Sequence, residues 1–178
     1  AGQLVIAAPS GTLASSFSLQ SLHWRSATLD VQVHELQFDW RPAELLRGRL
    51  AVGRIAADRL RVSQVANDEP VVLPESLDLP LAVAIEQLEI AVVEVGDHAH
   101  PDGAAATIAE SLAAGLASDG ALHRLLELRA RVGGLALSGD ASLAAAKPFA
   151  LIARAAIEGE AGGRALAFDL AAEGRLEE

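Results

Sequence analysis

Leu29-Asp30-Val31-Gln32-Val33-His34-Glu35-Leu36-Gln37-Phe38-Asp39-Trp40 is the stretch whose reading decides the fold. Leu29, Val31 and Val33 alternate with Asp30 and Gln32, the count slips by one at His34-Glu35, and the alternation resumes at Leu36, Phe38 and Trp40. Strict period two is the mark of a half-buried strand. A slip that adds one residue without breaking the apolar series is what a β-bulge makes, because two residues then oppose a single one on the neighbouring strand. One face stays apolar through a bend. At ~3.3 Å per residue the stretch runs roughly 40 Å, long for a strand of a globular domain. Length and bulge together predict a curved sheet rather than a compact sandwich.

Working outward, Pro42 at a first helical position and Gly48 as a stop predict a short helix near Pro42–Arg47, crossing one end of the sheet. The same rhythm then returns in Leu50, Val52, Ile55, Ala57, Leu60 and Val62. A third copy runs through Val83 and Ile85, slips at Glu86-Gln87 and resumes at Leu88, Ile90 and Val92. A fourth runs through Leu128, Ala130 and Val132, slips at Gly133-Gly134, and resumes at Leu135 and Leu137 up to Leu143. Earlier, residues 3–8 read as a short strand stopped by Pro9-Ser10-Gly11, and Leu13, Ser15, Phe17 and Leu19 alternate as another.

Asn67-Asp68-Glu69-Pro70 marks a loop. Pro74 and Pro80 punctuate the next segment, and without amide protons they keep it out of a central strand. Over residues 107–118, Ile108, Leu112 and Leu116 fit a helix, while Leu112, Ala114 and Leu116 fit a strand turning at Asp119-Gly120; that pair is a hairpin signal and favours the strand. Residues 149–157 and 164–170 flank a glycine-rich turn and read as a final hairpin. One strand type recurring about every 20 to 40 residues predicts a meander or solenoid. The expected fold is all-β: an elongated, curved, mostly antiparallel sheet.

Composition narrows the function. Hydrophobic residues make up 51% of the 178 but aromatic ones only 3%, so the bulky side chains that close a compact core are scarce. A net charge of −10 repels a nucleic-acid backbone, and nucleic acid is not an expected partner. Without Cys there are no disulfides or thiolate metal sites. No run approaches the ~20 apolar residues that span a bilayer. A sequence with no Met anywhere is expected to be a section of a longer, elongated protein, here a single domain over residues 1–178.

Candidate chemistry is thin. Asp97, His98, His100 and Asp102 are metal-ligand types, but they share one loop with no complementary pair elsewhere and read as a solvated loop. Gly159-Glu160-Ala161-Gly162-Gly163 lacks the spacing of a phosphate-binding loop and reads as a turn. No G-x-S-x-G, H-E-x-x-H or Cys nucleophile is present; neither enzyme nor cofactor is expected. Trp24 and Trp40 suit strand-end packing better than a lipid interface. Arg41, Arg47 and Arg49 suit a solvated turn better than a head-group site.

Taken in order, Leu29-x-Val31-x-Val33-x-x-Leu36-x-Phe38-x-Trp40-Arg41-Pro42-x-x-Leu45-Leu46-x-Gly48-Arg49-Leu50-x-Val52-x-x-Ile55-x-Ala57 resembles the TamB family, the inner-membrane subunit of the translocation and assembly module. Leu73-Pro74-Glu75-Ser76-Leu77-x-Leu79-Pro80-Leu81 and Pro148-Phe149-Ala150-Leu151 extend the likeness over nearly the whole chain. The resemblance implies the N-terminal part of the periplasmic region, in a Gram-negative protein anchored to the inner membrane. It implies a U-shaped sheet, a β-taco, whose greasy groove carries phospholipid between inner and outer membranes. It also implies a TamA-like outer-membrane barrel partner, met through parts outside this sequence.

Elementary physics fits such a groove. A sheet bent into a U leaves one face inside, and a concave apolar face of more than a few hundred Å² marks a binding surface. The expected lining is Phe17, Leu19, Leu29, Val31, Val33, Leu36 and Phe38, then Leu50, Val52 and Ile55. Val83, Ile85, Leu88 and Ile90 continue it, followed by Leu128, Val132, Leu135 and Leu137. Each methylene buried there would contribute about 0.8 kcal/mol. Two other functions compete with a conduit: a scaffold accepting strands of unfolded outer-membrane proteins by β-augmentation, and a spacer whose apolar face is a sealed core.

Overall fold

The computed structural model describes residues 2–65, 74–98, 100, 103–161 and 163–176. Its strands are β1 (Gln3–Ala7), β2 (Ser10–Gly11), β3 (Ser16–Arg25), β4 (Leu29–Trp40), β5 (Arg49–Gln64), β6 (Ala82–Asp97), β7 (Ala105–Ser118), β8 (Leu122–Val132), β9 (Leu135–Ala144), β10 (Ala150–Ala161) and β11 (Arg164–Arg175). All eleven belong to one open sheet in the order β1-β3-β4-β5-β6-β7-β8-β9-β10-β11, with β2 paired to β3. Every neighbouring pair is antiparallel except β5 and β6, which run side by side in the same direction. This is the mostly antiparallel, curved, all-β sheet that the alternation predicts, consistent with the β-taco that the resemblance implies.

The bulges sit where the apolar count slips. Glu35 takes φ 51° inside β4, and Ser111 (51°) and Glu127 (49°) do the same inside β7 and β8. A positive φ at a non-glycine residue in mid-strand is uncommon; here it re-aims the chain so that the next apolar side chain returns to the same face. Neighbouring strands bulge together. Leu19 faces Leu36 and Ser21 faces His34, which leaves Gln20 opposite Glu35 and the register intact. Across β5 and β6 the offset is 33 residues throughout, from Arg49↔Ala82 to Gln64↔Asp97, so two slips in one strand are answered by two in the other.

Two expectations need revision. Residues 128–143 are not one slipped strand: Gly133 (φ 57°) and Gly134 (φ 87°) are the central pair of a two-residue hairpin joining β8 to β9. Two adjacent positive φ values match the twist of an antiparallel pair, and only glycine adopts them at little cost. Val132 therefore lies opposite Leu135, and Ala130 opposite Leu137. The stop at Pro9-Ser10-Gly11 in turn contains β2, with Ser10 facing Ser18 and Gly11 facing Phe17. Residues 105–118 are a strand, as the Asp119-Gly120 turn favours; Asp119 Oδ1 accepts the N–H groups of Leu122 (2.8 Å) and Ala121 (3.0 Å), which lowers its pKa. The expected loop at Asn67-Asp68-Glu69-Pro70 lies outside the described residues.

Pro42–Arg47 forms a 3-10 helix closed by Gly48 at φ 70°, and none of its residues is buried. It joins β4 to β5 and contributes no covering layer; Leu46 is 93% exposed. Buried apolar side chains are few and mostly small: Leu19, Val52, Ala57, Val93, Ala109, Ala114 and Ala130 lie on one face of the sheet, Ala51 on the other, and Ala145 and Phe149 in the β9–β10 turn. Tight inter-strand spacing depends on glycine at several places, and the closest approach is at Gly139. A Cβ on Gly139 would sit 2.3 Å from Arg154 O, whereas Gly174 has open space around it. Gly139→Ala is expected to lower unfolding free energy by about 1–3 kcal/mol in urea titrations, the usual range for overpacking. Gly174→Ala is the control that leaves it unchanged or slightly raised.

Candidate functional site

Register places the apolar residues in continuous rows across the sheet. Trp24, Val31, Val62 and Val95 form one, and Leu22, Val33, Leu60, Val93 and Ala109 the next. Phe17, Phe38, Ile55, Leu88 and Ala114 form a third, in which the Phe17 and Phe38 rings stack at 5.0 Å between centroids. Val52, Ile85, Leu116, Leu125 and Ala141 carry the face onward. Leu137, Ile157 and Phe168 bring it to the last strand.

All eighteen residues expected on the apolar face share it. Only Leu19 (6% exposed) and Val52 (1%) are buried, and Val132 is 43% exposed. Phe17, Leu29, Val31, Val33, Leu36, Phe38, Leu50 and Ile55 are half-buried, as are Val83, Ile85, Leu88, Ile90, Leu128, Leu135 and Leu137. A sealed core would bury most of them. Among the described residues every strand belongs to the one sheet, so no second layer lies over the face. The rows also take in residues outside the expected lining: Leu22 and Leu60, which continue the alternation of their strands, Val93 where the alternation predicts Val92, Leu4 and Ile6 on β1, and Phe168 and Leu170 on β11. Only the pairing shows that they join the same rows.

At the end of the sheet where β6 and β8 begin, the face dips into a cavity of about 290 Å³ walled by Leu79, Val83, Ile85, Leu116, Leu125 and Leu143. No charged group is needed to line it, apart from Arg124 at its edge.

The opposite face is polar. Asp30 is 1% exposed and gathers His23 Nε2 (2.8 Å), Arg25 Nε (2.6 Å) and Gln32 Nε2 (3.2 Å). Burial pushes its pKa up, but these three hydrogen bonds outweigh burial and hold it at about 2. Arg54 pairs with Glu89 (2.6 Å) and Arg59 with Glu94 (3.5 Å) across the β5–β6 junction, and Arg41 pairs with Glu86 nearby. A larger hollow of about 610 Å³ on this side is rimmed by Glu127, Arg129, Asp140, Arg154 and Asp169, whose mixed signs select no ligand charge.

The remaining candidates are placed plainly. His100 Nδ1 meets Asp97 Oδ2 at 3.0 Å, His98 Nε2 lies 3.3 Å from Ser26 O, and Asp102 is outside the described residues. No group of three metal-ligand side chains gathers among the described residues. Trp40 Nε1 donates to Leu13 O (2.9 Å), a strand-end packing role. Arg47 pairs with Glu44 within the 3-10 helix.

A family pattern described as TamB, N-terminal domain, matches residues 2–100, which run from β1 to the loop after β6. The chain belongs to the TamB family. The TamB family is a non-enzymatic transport and assembly module that works with a partner. A comparison with curated proteins finds no match, and one with solved structures finds none. No helix among the described residues is long and apolar enough to cross a membrane, which is silent on strands.

Proposed function

We propose that this TamB-family chain is one section of a periplasmic lipid conduit, its apolar face carrying the acyl chains of phospholipid between the inner and outer membranes of a Gram-negative cell. One observation carries the reading: rows of Leu, Val, Ile and Phe cross the sheet strand after strand, half-exposed and, among the described residues, without a covering layer. Leaving so much apolar surface to water costs about 25 cal/mol per Å², a cost removed when acyl chains lie on it. Head groups stay at the open rim in water, so the face needs no polar atom to recognise them. Native mass spectrometry of the purified chain is expected to show bound phospholipid. Lipid-free spectra after incubation with phosphatidylethanolamine–phosphatidylglycerol vesicles would overturn the conduit.

A second reading is favoured by the free edge of β11, twelve residues paired only to β10 and bearing Phe168 and Leu170 at 54% exposure each. Such an edge accepts an extended strand, as a scaffold for outer-membrane protein assembly would. Binding of β-rich peptides that is abolished by proline in β11, with no lipid bound, would favour the scaffold.

A further inference from the structure

One end of the apolar face is crossed by the chain itself. Pro74 and Pro80 have no N–H to offer a ladder, and residues 76–79 between them pass over the strand ends without joining the sheet as a strand. They are tied down at few points. Leu77 N–H donates to Ala145 O (2.8 Å) and Leu79 N–H to Gly120 O (3.1 Å), and Ser76 pairs with Ala146 as an isolated antiparallel bridge.

Ser76 Oγ also donates to Ala145 O (3.4 Å), Lys147 Nζ pairs with the neighbouring Glu75 (3.4 Å), and His123 supplies a further tie. Gly120 N–H donates to Ser118 Oγ (3.0 Å), which leaves the hydroxyl proton for His123 Nδ1 (2.9 Å). The other ring nitrogen then carries the proton that Leu77 O accepts (3.1 Å). Ser118 and His123 thus turn their polar atoms to each other and to the crossing backbone, and the rest of the lining of the cavity of about 290 Å³ beneath is mostly apolar, with Arg124 and Ser142 its other polar members. Leu79 spans its mouth while 41% exposed itself, and Leu77 is the one half-buried residue among 74–80. Segments with so little buried surface open at low cost.

We propose that residues 76–79 are a gate: closed, they shut the cavity over the terminal carbons of one acyl chain; open, they let that chain slide past this end of the face. The gate rests on the conduit reading and adds to it a point of control. Its occupant is an aliphatic chain end because the cavity continues the apolar rows through Val83, Ile85 and Leu116, and because Ser118 and His123, two of its polar side chains, are already engaged with each other and with backbone.

The sequence has no Cys, and Ser76 faces Ala146 directly, so Ser76→Cys combined with Ala146→Cys introduces a single crosslink between the strap and the β9–β10 turn. The probe is phosphatidylethanolamine with an environment-sensitive fluorophore at the end of one acyl chain, presented in vesicles. The same double variant, oxidised and then reduced, provides its own folding control. Entry of the fluorophore is expected to slow about fivefold or more on oxidation and to recover on reduction, as for other closing segments. Equal rates in the two states, with lipid bound, overturn the gate and leave the conduit standing. Absence of bound lipid in the unsubstituted chain overturns the conduit and the gate with it.

Discussion

Val33→Asp lowers phospholipid binding about tenfold or more while the sheet stays folded. Val33 lies between Leu22 and Leu60 in the middle of an apolar row and is only half-buried. In the lipid-free chain a carboxylate there reaches water, so the fold loses about 1–3 kcal/mol at most. With acyl chains laid along the face the same carboxylate loses its water, and desolvating an unpaired charge costs far more than a row of methylenes gains. Phe38→Asp acts alike and also removes the ring that stacks on Phe17. The checks are lipid stoichiometry by native mass spectrometry and far-ultraviolet circular dichroism on the same samples. Loss of β signal together with lipid would mean that Val33 is a core residue, and the open-face reading would fail.

Asp30→Ala is expected to be the most destabilising single change on the polar face, by about 2–4 kcal/mol, because it strips the partner from Arg25 and His23 around a buried site. Acid titration gives the matching result. The folded pKa of about 2 lies below the ordinary carboxylate value of 3.8, so ionised Asp30 stabilises the fold above the unfolded pKa, and that contribution disappears as pH falls through the folded one. The difference corresponds to about 2 kcal/mol lost between roughly pH 4.5 and 2. Urea midpoints measured across that range should fall in the parent chain, and Asp30→Ala should lack this component. Equal slopes in both proteins would remove Asp30 from the account.

Much of the architecture was legible because a strand with one apolar face writes period two into its residues, and a bulge writes a slip. Leu29 to Trp40 shows both, and the pairing bears them out. The Gly133-Gly134 hairpin was misread for a physical reason: two glycines between alternating runs produce the same even count whether the chain bulges or reverses. The parallel β5–β6 pair was not legible at all. Nothing in Leu50 to Val62 or Val83 to Val92 states direction; only the constant 33-residue offset does. On the apolar face, alternation is local and can be read strand by strand, whereas the rows that Leu4 and Phe168 join depend on which strands are neighbours. The cavity under Leu79 depends on a proline-bounded segment meeting strands distant in sequence, and no periodicity encodes that meeting.

That parallel junction also dictates the order in which the molecule assembles. On either side of it most strands reverse through short turns, so β1 to β5 and β6 to β11 can each zip up from contacts close in sequence, at small loop-closure cost. Joining β5 to β6 instead requires residues 33 apart to find one another along sixteen-residue strands before any rung is rewarded. Two preformed half-sheets therefore dock along a single seam, riveted by Arg54–Glu89 and Arg59–Glu94. The seam is therefore expected to close last on folding and to be the line along which the ribbon parts first.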